Sequence, residues 1–233
     1  MKHFEAHSFQ HVLPSPVAVH ELDSALTERR RTRFRQVLAR RIVGLTVIVE
    51  NCFDPHNATA VVRTCEAFGL QTIHVVTGSS RFRVNKKISQ GSHRYVDIRA
   101  YNTIQEAYEV VRADGFLIFA SSLSSDAIVD PHELTRGTKR NPIALVFGNE
   151  ESGVTEAGRA LADGEFFIPM SGFTQSLNLS VTVAVTLFSI RHRELAAESA
   201  GDMPADVQRF WYDRWIRRQT GVAATSECNT HYN

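Results

Sequence analysis

Short apolar runs alternate with stretches of helical periodicity through most of the chain. The apolar runs are rich in β-branched and aromatic residues and predict buried strands: LTVIVEN (45–51), TIHVV (72–76), GFLIFAS (115–121), PIALVFG (142–148) and EFFIP (165–169). Helical patterns lie between them at roughly 57–69, 102–114 and 155–163. This alternation predicts an α/β fold with a largely parallel sheet covered by helices on both faces. In such sheets, ligands bind beyond the carboxyl ends of the strands.

A strongly basic segment precedes the first predicted strand. The segment RRRTRFRQVLARR (29–41) carries seven arginines and no acidic residue, and Phe34, Val37 and Leu38 recur at helical spacing. It is therefore predicted to be a basic amphipathic helix. Either its charges form a solvated face, or they bind a polyphosphate; the charge density favours the polyphosphate. Residues 1–28 show no clear periodicity and are interpreted as a loosely attached arm.

Two C-terminal segments leave alternatives open. In LNLSVTVAVTLF (177–188) apolar residues occupy every odd position, which is typical of a strand, yet the segment continues into SIRHRELAAE and the combined length suits a helix. The segment PADVQRFWYDRWIRRQ (204–219) predicts an amphipathic helix with Val207, Trp211 and Trp215 on one stripe. That stripe either packs on the core or a partner, or stacks on RNA.

Composition restricts the class of protein. Basic and acidic residues nearly cancel to a net charge of +1, so any affinity for nucleic acid must be local. Cys52, Cys65 and Cys228 are odd in number and lack the spacing of a metal site, and no metal is expected. No apolar run is long enough to span a bilayer, and no signal-peptide pattern begins the chain. A reducing cytoplasm is the expected location.

Three segments combine polar residues with predicted strand ends. PHNATAVVRTCEAFGL (55–70) starts a helix after the first strand, and Arg63 lies on the helical face opposite its apolar stripe. ALVFGNEESGVTEA (144–157) carries Gly148, which allows close backbone approach to a ligand, and Glu150. IPMSGFTQSLNLSVTVAV (168–185) places Ser176 and Asn178 after another strand. Alone, each has an ordinary explanation: a surface arginine, a turn, or a helix cap.

Together the three segments resemble, in order and spacing, the signature motifs of the SpoU/TrmH family of RNA ribose 2′-O-methyltransferases: N-x-x-x-x-x-R, G-x-E-x-x-G and I-P-M…S-L-N-x-S. The resemblance extends from about residue 29 to 195. It implies a SPOUT-class α/β fold with a C-terminal deep trefoil knot, a homodimer, and a helix at 177–195. We accordingly expect an arm with an RNA-binding helix at 1–41, a catalytic domain at 42–196 and a helical extension at 197–233.

The resemblance also implies the residues of the site. The expected catalytic set is Asn57, Arg63, Glu150, Ser176 and Asn178. The positions expected to bind the cofactor, S-adenosylmethionine, are Ser121, Gly148, Ile168, Met170 and Leu177. The residues expected to contact RNA are Arg30, Arg31, Arg33 and His56. In the family the arginine has been assigned proton abstraction, but a guanidinium is rarely deprotonated, so a phosphate clamp that stabilises developing charge is preferred for Arg63.

The expected substrate is a tRNA, with the D-loop guanosine at tRNA position 18 as the target. Ribosomal RNA is the alternative substrate, but relatives of that kind often carry a separate RNA-binding domain before the catalytic one. A second alternative is an RNA-binding member without catalysis, which the intact polar positions disfavour. Where close relatives carry Arg-Gln-Pro-Asp-Leu, this chain has Arg-Ile-Val-Gly-Leu at 41–45, which puts the details of RNA docking there in doubt.

Overall fold

The computed structural model describes residues 17–52, 54–78, 85–123, 134, 142–197 and 199–223. These residues form two compact units. The larger unit is Ile42–His192, and the smaller one combines the segment before it with the segment that follows from Arg193. The N-terminal and C-terminal segments, which the sequence analysis assigns to separate regions, therefore belong to one unit.

A six-stranded sheet with parallel pairing throughout forms the centre of the larger unit. Its strands are β1 Leu45–Glu50, β2 Thr72–Val76, β3 Asp97–Tyr101, β4 Leu117–Ser121, β5 Ile143–Phe147 and β6 Gly164–Phe166, in the order β3-β2-β1-β5-β4-β6. The α/β prediction is confirmed. Strand β3 was not predicted from the sequence, because this edge strand is only partly buried and lacks the continuous apolar run of a central strand.

The two central strands bring the site together. Every residue of β1 and β5 is buried, as expected for parallel strands covered on both faces. The chain continues from β1 towards one edge through β2 and β3, whereas β4 and β6 lie on the far side of β5. The loops that follow β1 and β5 therefore lie at a switch point of the topology, where parallel sheets bind ligands.

Helices cover both faces of the sheet, as predicted. The helices that begin in the larger unit are α2 Pro55–Ala67, α3 Lys86–Ser89, α4 Ile104–Ala113, α5 Glu156–Ala160 and α6 Leu179–Ala196. Val61 of α2 and Val183 of α6 belong to one apolar cluster, and Tyr108 of α4 belongs to the cluster on the other face. Asp54 begins α2 by accepting a hydrogen bond from the backbone N–H of His56.

The period-two segment is a helix, α6, which settles the alternative in favour of the longer element. Leu179, Val183 and Leu187 recur every four residues on its buried face. Val181 and Val185, which occupy the other odd positions, lie on the opposite face and are about two-fifths exposed (45% and 38%). The alternation thus arises from two apolar faces on one helix, which a periodicity count cannot distinguish from a strand.

The smaller unit pairs α1 Glu28–Leu38 with α7 Ala205–Thr220. The ring of Phe34 meets that of Trp215 edge-on, with centroids 5.6 Å apart, and Trp215 is buried. Trp211 is buried as well, so the structure agrees with the packing interpretation of the α7 stripe.

Buried Asp23 ties residues before α1 to this helix pair. It accepts hydrogen bonds from the Tyr212 hydroxyl and, at 2.7 Å, from Arg35. Burial alone would raise the pKa of Asp23, but hydrogen bonds from Tyr212, the His20 backbone and Arg35 outweigh burial and hold that pKa below its ordinary value. The expectation of a loosely attached arm is therefore wrong for residues 17–27, and residues 1–16 lie outside the described residues.

Candidate active site

A cavity of about 330 Å³ opens where β4, β5 and β6 end. Its volume falls within the range of small-molecule pockets. The five positions expected to bind the cofactor all line it: Ser121, Gly148, Ile168, Met170 and Leu177. Glu150 and Ser176 of the expected catalytic set lie in the same wall.

A tight turn after β5 forms one side of the cavity. A Cβ atom on Gly148 would lie 1.8 Å from the carbonyl carbon of Gly153, so only glycine fits. The close approach is thus to the chain's own backbone. The Asn149 Oδ1 atom accepts hydrogen bonds from the backbone N–H groups of Glu151 (3.0 Å) and Ser152 (2.8 Å). Asn149, which the sequence analysis did not single out, makes the turn rigid.

Three of the expected catalytic residues, Asn178, Asn57 and Glu150, are joined by hydrogen bonds and form the polar chain of the site. Asn178 Nδ2 donates to Asn57 Oδ1 at 3.1 Å, and Asn57 Nδ2 donates to Glu150 Oε1. A carboxylate only accepts, so this contact requires the amino side of the Asn57 amide to face Glu150. Asn178 Oδ1 also accepts from the backbone N–H (3.0 Å) and hydroxyl (2.7 Å) of Ser180 at the start of α6. The three motifs therefore converge on one polar centre beside the cavity.

Comparison with known proteins identifies the family. The sequence pattern described as the SpoU rRNA Methylase family matches residues 44–188. This chain belongs to that family. A tRNA (guanosine(18)-2'-O)-methyltransferase of Thermus thermophilus is 40% identical over 171 residues, which are 73% of this chain and 86% of the relative.

Solved structures of RNA-modifying enzymes show a similar architecture. The A. aeolicus TrmH/SpoU tRNA modifying enzyme aligns with a TM-score of 0.74 and 30% identity, covering 82% of this chain and 97% of its own. An AdoMet-bound rRNA methyltransferase from Sinorhizobium meliloti aligns with a TM-score of 0.56 and 26% identity, covering 64% of this chain and 56% of its own.

The two polar residues of the first SpoU motif, Asn57 and Arg63, have different surroundings. Asn57 lies in the first turn of α2 and joins the polar chain. Arg63 is exposed further along α2, and its Nη1 atom donates to the Ile88 carbonyl oxygen at 3.3 Å. His56 is also exposed at the start of α2. The structure therefore brings Asn57, but not Arg63, into hydrogen-bonding contact with the other motifs.

A cysteine next to the SpoU site is not suited to act as a nucleophile. Cys52 is buried at the end of β1. Burial, together with the nearby carboxylates of Glu150 and Asp54, raises the pKa of the Cys52 thiol to about 11. The thiol is therefore protonated at neutral pH and poorly suited to act as a nucleophile.

The arginines expected to contact RNA lie on α1, in the smaller unit. Arg30 Nη2 donates to Gln219 Oε1 at 3.1 Å, and Arg33 is exposed. Arg31 Nη1 donates to the carbonyl oxygens of Asp23 (2.7 Å) and Leu26 (3.1 Å). Arg31 thus holds the segment before α1, whatever contact its remaining N–H groups make.

Neither a metal cluster nor a membrane-spanning helix is found in the part of the chain that the structure describes. No group of three or more His, Cys, Asp or Glu side chains there is arranged to hold a metal ion. No helix among the same residues is long and apolar enough to cross a membrane.

Proposed function

We propose that this SpoU protein transfers a methyl group from S-adenosylmethionine to the ribose 2′-hydroxyl of guanosine 18 in the D-loop of tRNA. The observation that carries the proposal is the polar chain Asn178–Asn57–Glu150 beside the cavity, because it joins three family motifs in one site. Relatives named for this tRNA reaction, 33–40% identical over 70–74% of the chain, support the substrate.

The cavity fits the proposed cofactor. Its walls combine apolar surface from Phe147, Phe166 and Ile168 with the backbone of the Gly148 turn, which suits a flat adenine with polar edges. S-adenosylmethionine supplies an electrophilic methyl group when bound. Gly148, Ile168 and the other expected cofactor positions would hold it in the cavity, and we expect binding and transfer without a metal. Calorimetry should therefore give the same affinity with and without a chelator.

The polar chain orients the ribose. A protonated hydroxyl is a poor nucleophile, so the enzyme must align its oxygen with the methyl group and favour loss of its proton. Asn57 is held from both sides, by Asn178 and by Glu150, and so presents a fixed amide to the substrate. Ser176, in the cavity wall, completes the polar lining next to Leu177. Orientation of this kind can lower a barrier by roughly 7–11 kcal/mol.

Arg63 acts on the phosphate. It is exposed, and its guanidinium offers several N–H donors, so it is suited to clamp the backbone of the target nucleotide and to stabilise developing negative charge on the 2′-oxygen. Arg30, Arg31, Arg33 and His56 provide further phosphate contacts, with Arg31 limited to the N–H groups that its carbonyl contacts leave.

The exposed face of α6 is the contact between two copies of the chain. Val181 and Val185 are joined on it by Phe188, which is 58% exposed, and His192 stacks on the Phe188 ring with centroids 5.4 Å apart. A helix that is apolar on two opposite faces needs a second partner besides its own core. A homodimer supplies that partner. Replacing Phe188 with Asp should dissociate the dimer in analytical ultracentrifugation, and an unchanged mass would contradict this assignment.

The proposal also includes a knotted backbone and a cellular location. The family resemblance supports a deep trefoil knot in the C-terminal part of the catalytic domain. A tRNA substrate is consistent with the cytoplasmic location that the sequence analysis expects.

The decisive experiment is methylation of defined transcripts. A tRNA transcript should gain one 2′-O-methylguanosine at position 18, located by mass spectrometry of nuclease fragments. The matched control carries 2′-deoxyguanosine at position 18, which lacks the acceptor oxygen and should gain none. Methylation of ribosomal RNA fragments with tRNA left unmodified would replace tRNA with the alternative substrate. No transfer to either RNA by a protein that binds the cofactor would favour a non-catalytic RNA-binding role.

A further inference from the structure

The buried side chain of Glu50 connects the end of β1 with the end of the turn that lines the cavity, residues 148–154. Glu50, the last residue of β1, is only 2% exposed. Its Oε2 atom accepts the backbone N–H of Thr155 at 2.9 Å, and its Oε1 atom accepts the Thr155 hydroxyl at 2.8 Å. Thr155 directly follows the turn, whose residues up to Val154 line the cavity.

The surroundings of Glu50 leave little room for movement. The Thr155 hydroxyl also accepts the backbone N–H of Gly158 at 3.0 Å and thereby begins α5. A Cβ atom on Gly158 would lie 3.2 Å from Glu50 Oε2 and 2.8 Å from the Val154 side chain. Tyr108 donates its hydroxyl to the Gly158 carbonyl oxygen at 2.9 Å. The carboxylate is thus enclosed between β1 and the start of α5.

The chemistry of this contact requires a carboxylate. Because the Thr155 hydroxyl already accepts a bond from Gly158, its single hydrogen is directed to Glu50. Glu50 therefore faces two donors, and only a carboxylate accepts at both of its atoms. Burying a charge in this way is unfavourable unless both bonds are made, so the contact holds Thr155 in one position.

The contact joins the two loops that carry the polar chain. Immediately after Glu50, Asn51 adopts a φ of 56°, which turns the chain from β1 towards α2 and Asn57. Glu150 lies in the turn that ends next to Thr155. The separation of Asn57 and Glu150, and the shape of the cavity wall, therefore both depend on the contact between Glu50 and Thr155.

We propose that Glu50 is a positioning residue of the cofactor pocket, which acts through Thr155 to hold the 148–154 turn in its binding conformation. The proposal rests on the cofactor site described above, but not on the identity of the RNA. Because the turn lines the cofactor cavity, loss of this contact should be visible in cofactor binding.

The test compares variants at both ends of the contact with a matched control. Glu50→Ala and Thr155→Val remove the contact, whereas Thr155→Ser retains the hydroxyl and should restore it. Thr46→Val is the control, because the Thr46 hydroxyl makes a similar buried bond, 2.8 Å to the Thr72 carbonyl oxygen, at the opposite end of β1. Thermal unfolding measures stability, and calorimetry measures S-adenosylmethionine affinity well below the unfolding temperature.

The expected result is a Kd for S-adenosylmethionine that rises about ten- to hundredfold in Glu50→Ala and Thr155→Val, because buried hydrogen-bonding groups lose their partners. Thr155→Ser and Thr46→Val should bind like the wild type, even where Thr46→Val loses as much stability, and RNA affinity should not change. If Glu50→Ala does not fold, the Kd values of Glu50→Gln and Thr155→Val for S-adenosylmethionine test the proposal instead. An unchanged Kd in the folded contact variants, or an equal rise in Thr46→Val, would overturn the proposal. Wild-type protein without cofactor affinity would instead refute the proposed function.

Discussion

Replacing Gly148 with alanine should weaken cofactor binding strongly while leaving the rest of the sheet folded. The added Cβ atom would lie 1.8 Å from the Gly153 carbonyl carbon, 1.9 Å from its oxygen and 2.1 Å from the Val154 nitrogen. All three are backbone atoms, so no side chain can rotate away to relieve the contact. The turn itself must move.

The size of that movement sets the expected effect. Ordinary van der Waals contact begins near 3.4 Å, so the Gly153 carbonyl carbon must retreat by about 1.6 Å from Gly148. Since the displaced turn lines the cavity and would lose its contacts with the bound cofactor, we expect the Kd for S-adenosylmethionine to rise about a hundredfold. That factor corresponds to roughly 2.7 kcal/mol of binding free energy.

Calorimetry on Gly148→Ala measures this effect, and circular dichroism confirms that the variant is folded. Gly172→Ala is the matched control, because the Gly172 Cβ would find its nearest neighbour, the Thr174 nitrogen, at 3.9 Å. The control should bind the cofactor like the wild type. If folded Gly148→Ala also binds normally, the turn does not shape the cofactor site, and the reasoning from its geometry is wrong.

Three further predictions concern separate parts of the molecule. Arg63→Ala should lower methyl transfer at least about a hundredfold in single-turnover assays without changing cofactor affinity, and normal turnover would make Arg63 an ordinary surface residue. Replacing Arg30 and Arg33 with Gln should weaken tRNA binding and lower the slope of log K against log salt by about 0.7–0.9 for each lost phosphate contact; an unchanged slope would indicate a solvated helix face. Because the pKa of Asp23 is held below its ordinary value of 3.8, its contribution to the unfolding free energy is present above that pH and lost as the pH falls through the lowered pKa. Acid titration of the unfolding free energy should therefore be less steep in Asp23→Asn, and identical curves would contradict the role of this carboxylate.

Some elements were determined by the sequence because their local pattern allows one solution. The β1 and β5 segments are continuous apolar runs, which fit strands covered on both faces, and the helical patterns between the strands imply parallel connections. The motif residues could be proposed from order and spacing alone. Edge strand β3 could not, since partial burial removes the apolar run on which such a prediction depends.

Only the tertiary structure decided which of these residues meet. Asn57 is 93 positions from Glu150 and 121 from Asn178, so no local pattern links them; their contact follows from the order of strands in the sheet. The same holds for Glu50, which reads in sequence as the polar end of a strand, although its partner Thr155 lies 105 positions away. In α6, opposite apolar faces imitate the alternation of a strand, and only the helical backbone shows which residues face the core. Local sequence sets the conformation of each segment, whereas the buried polar contacts depend on how distant segments pack together.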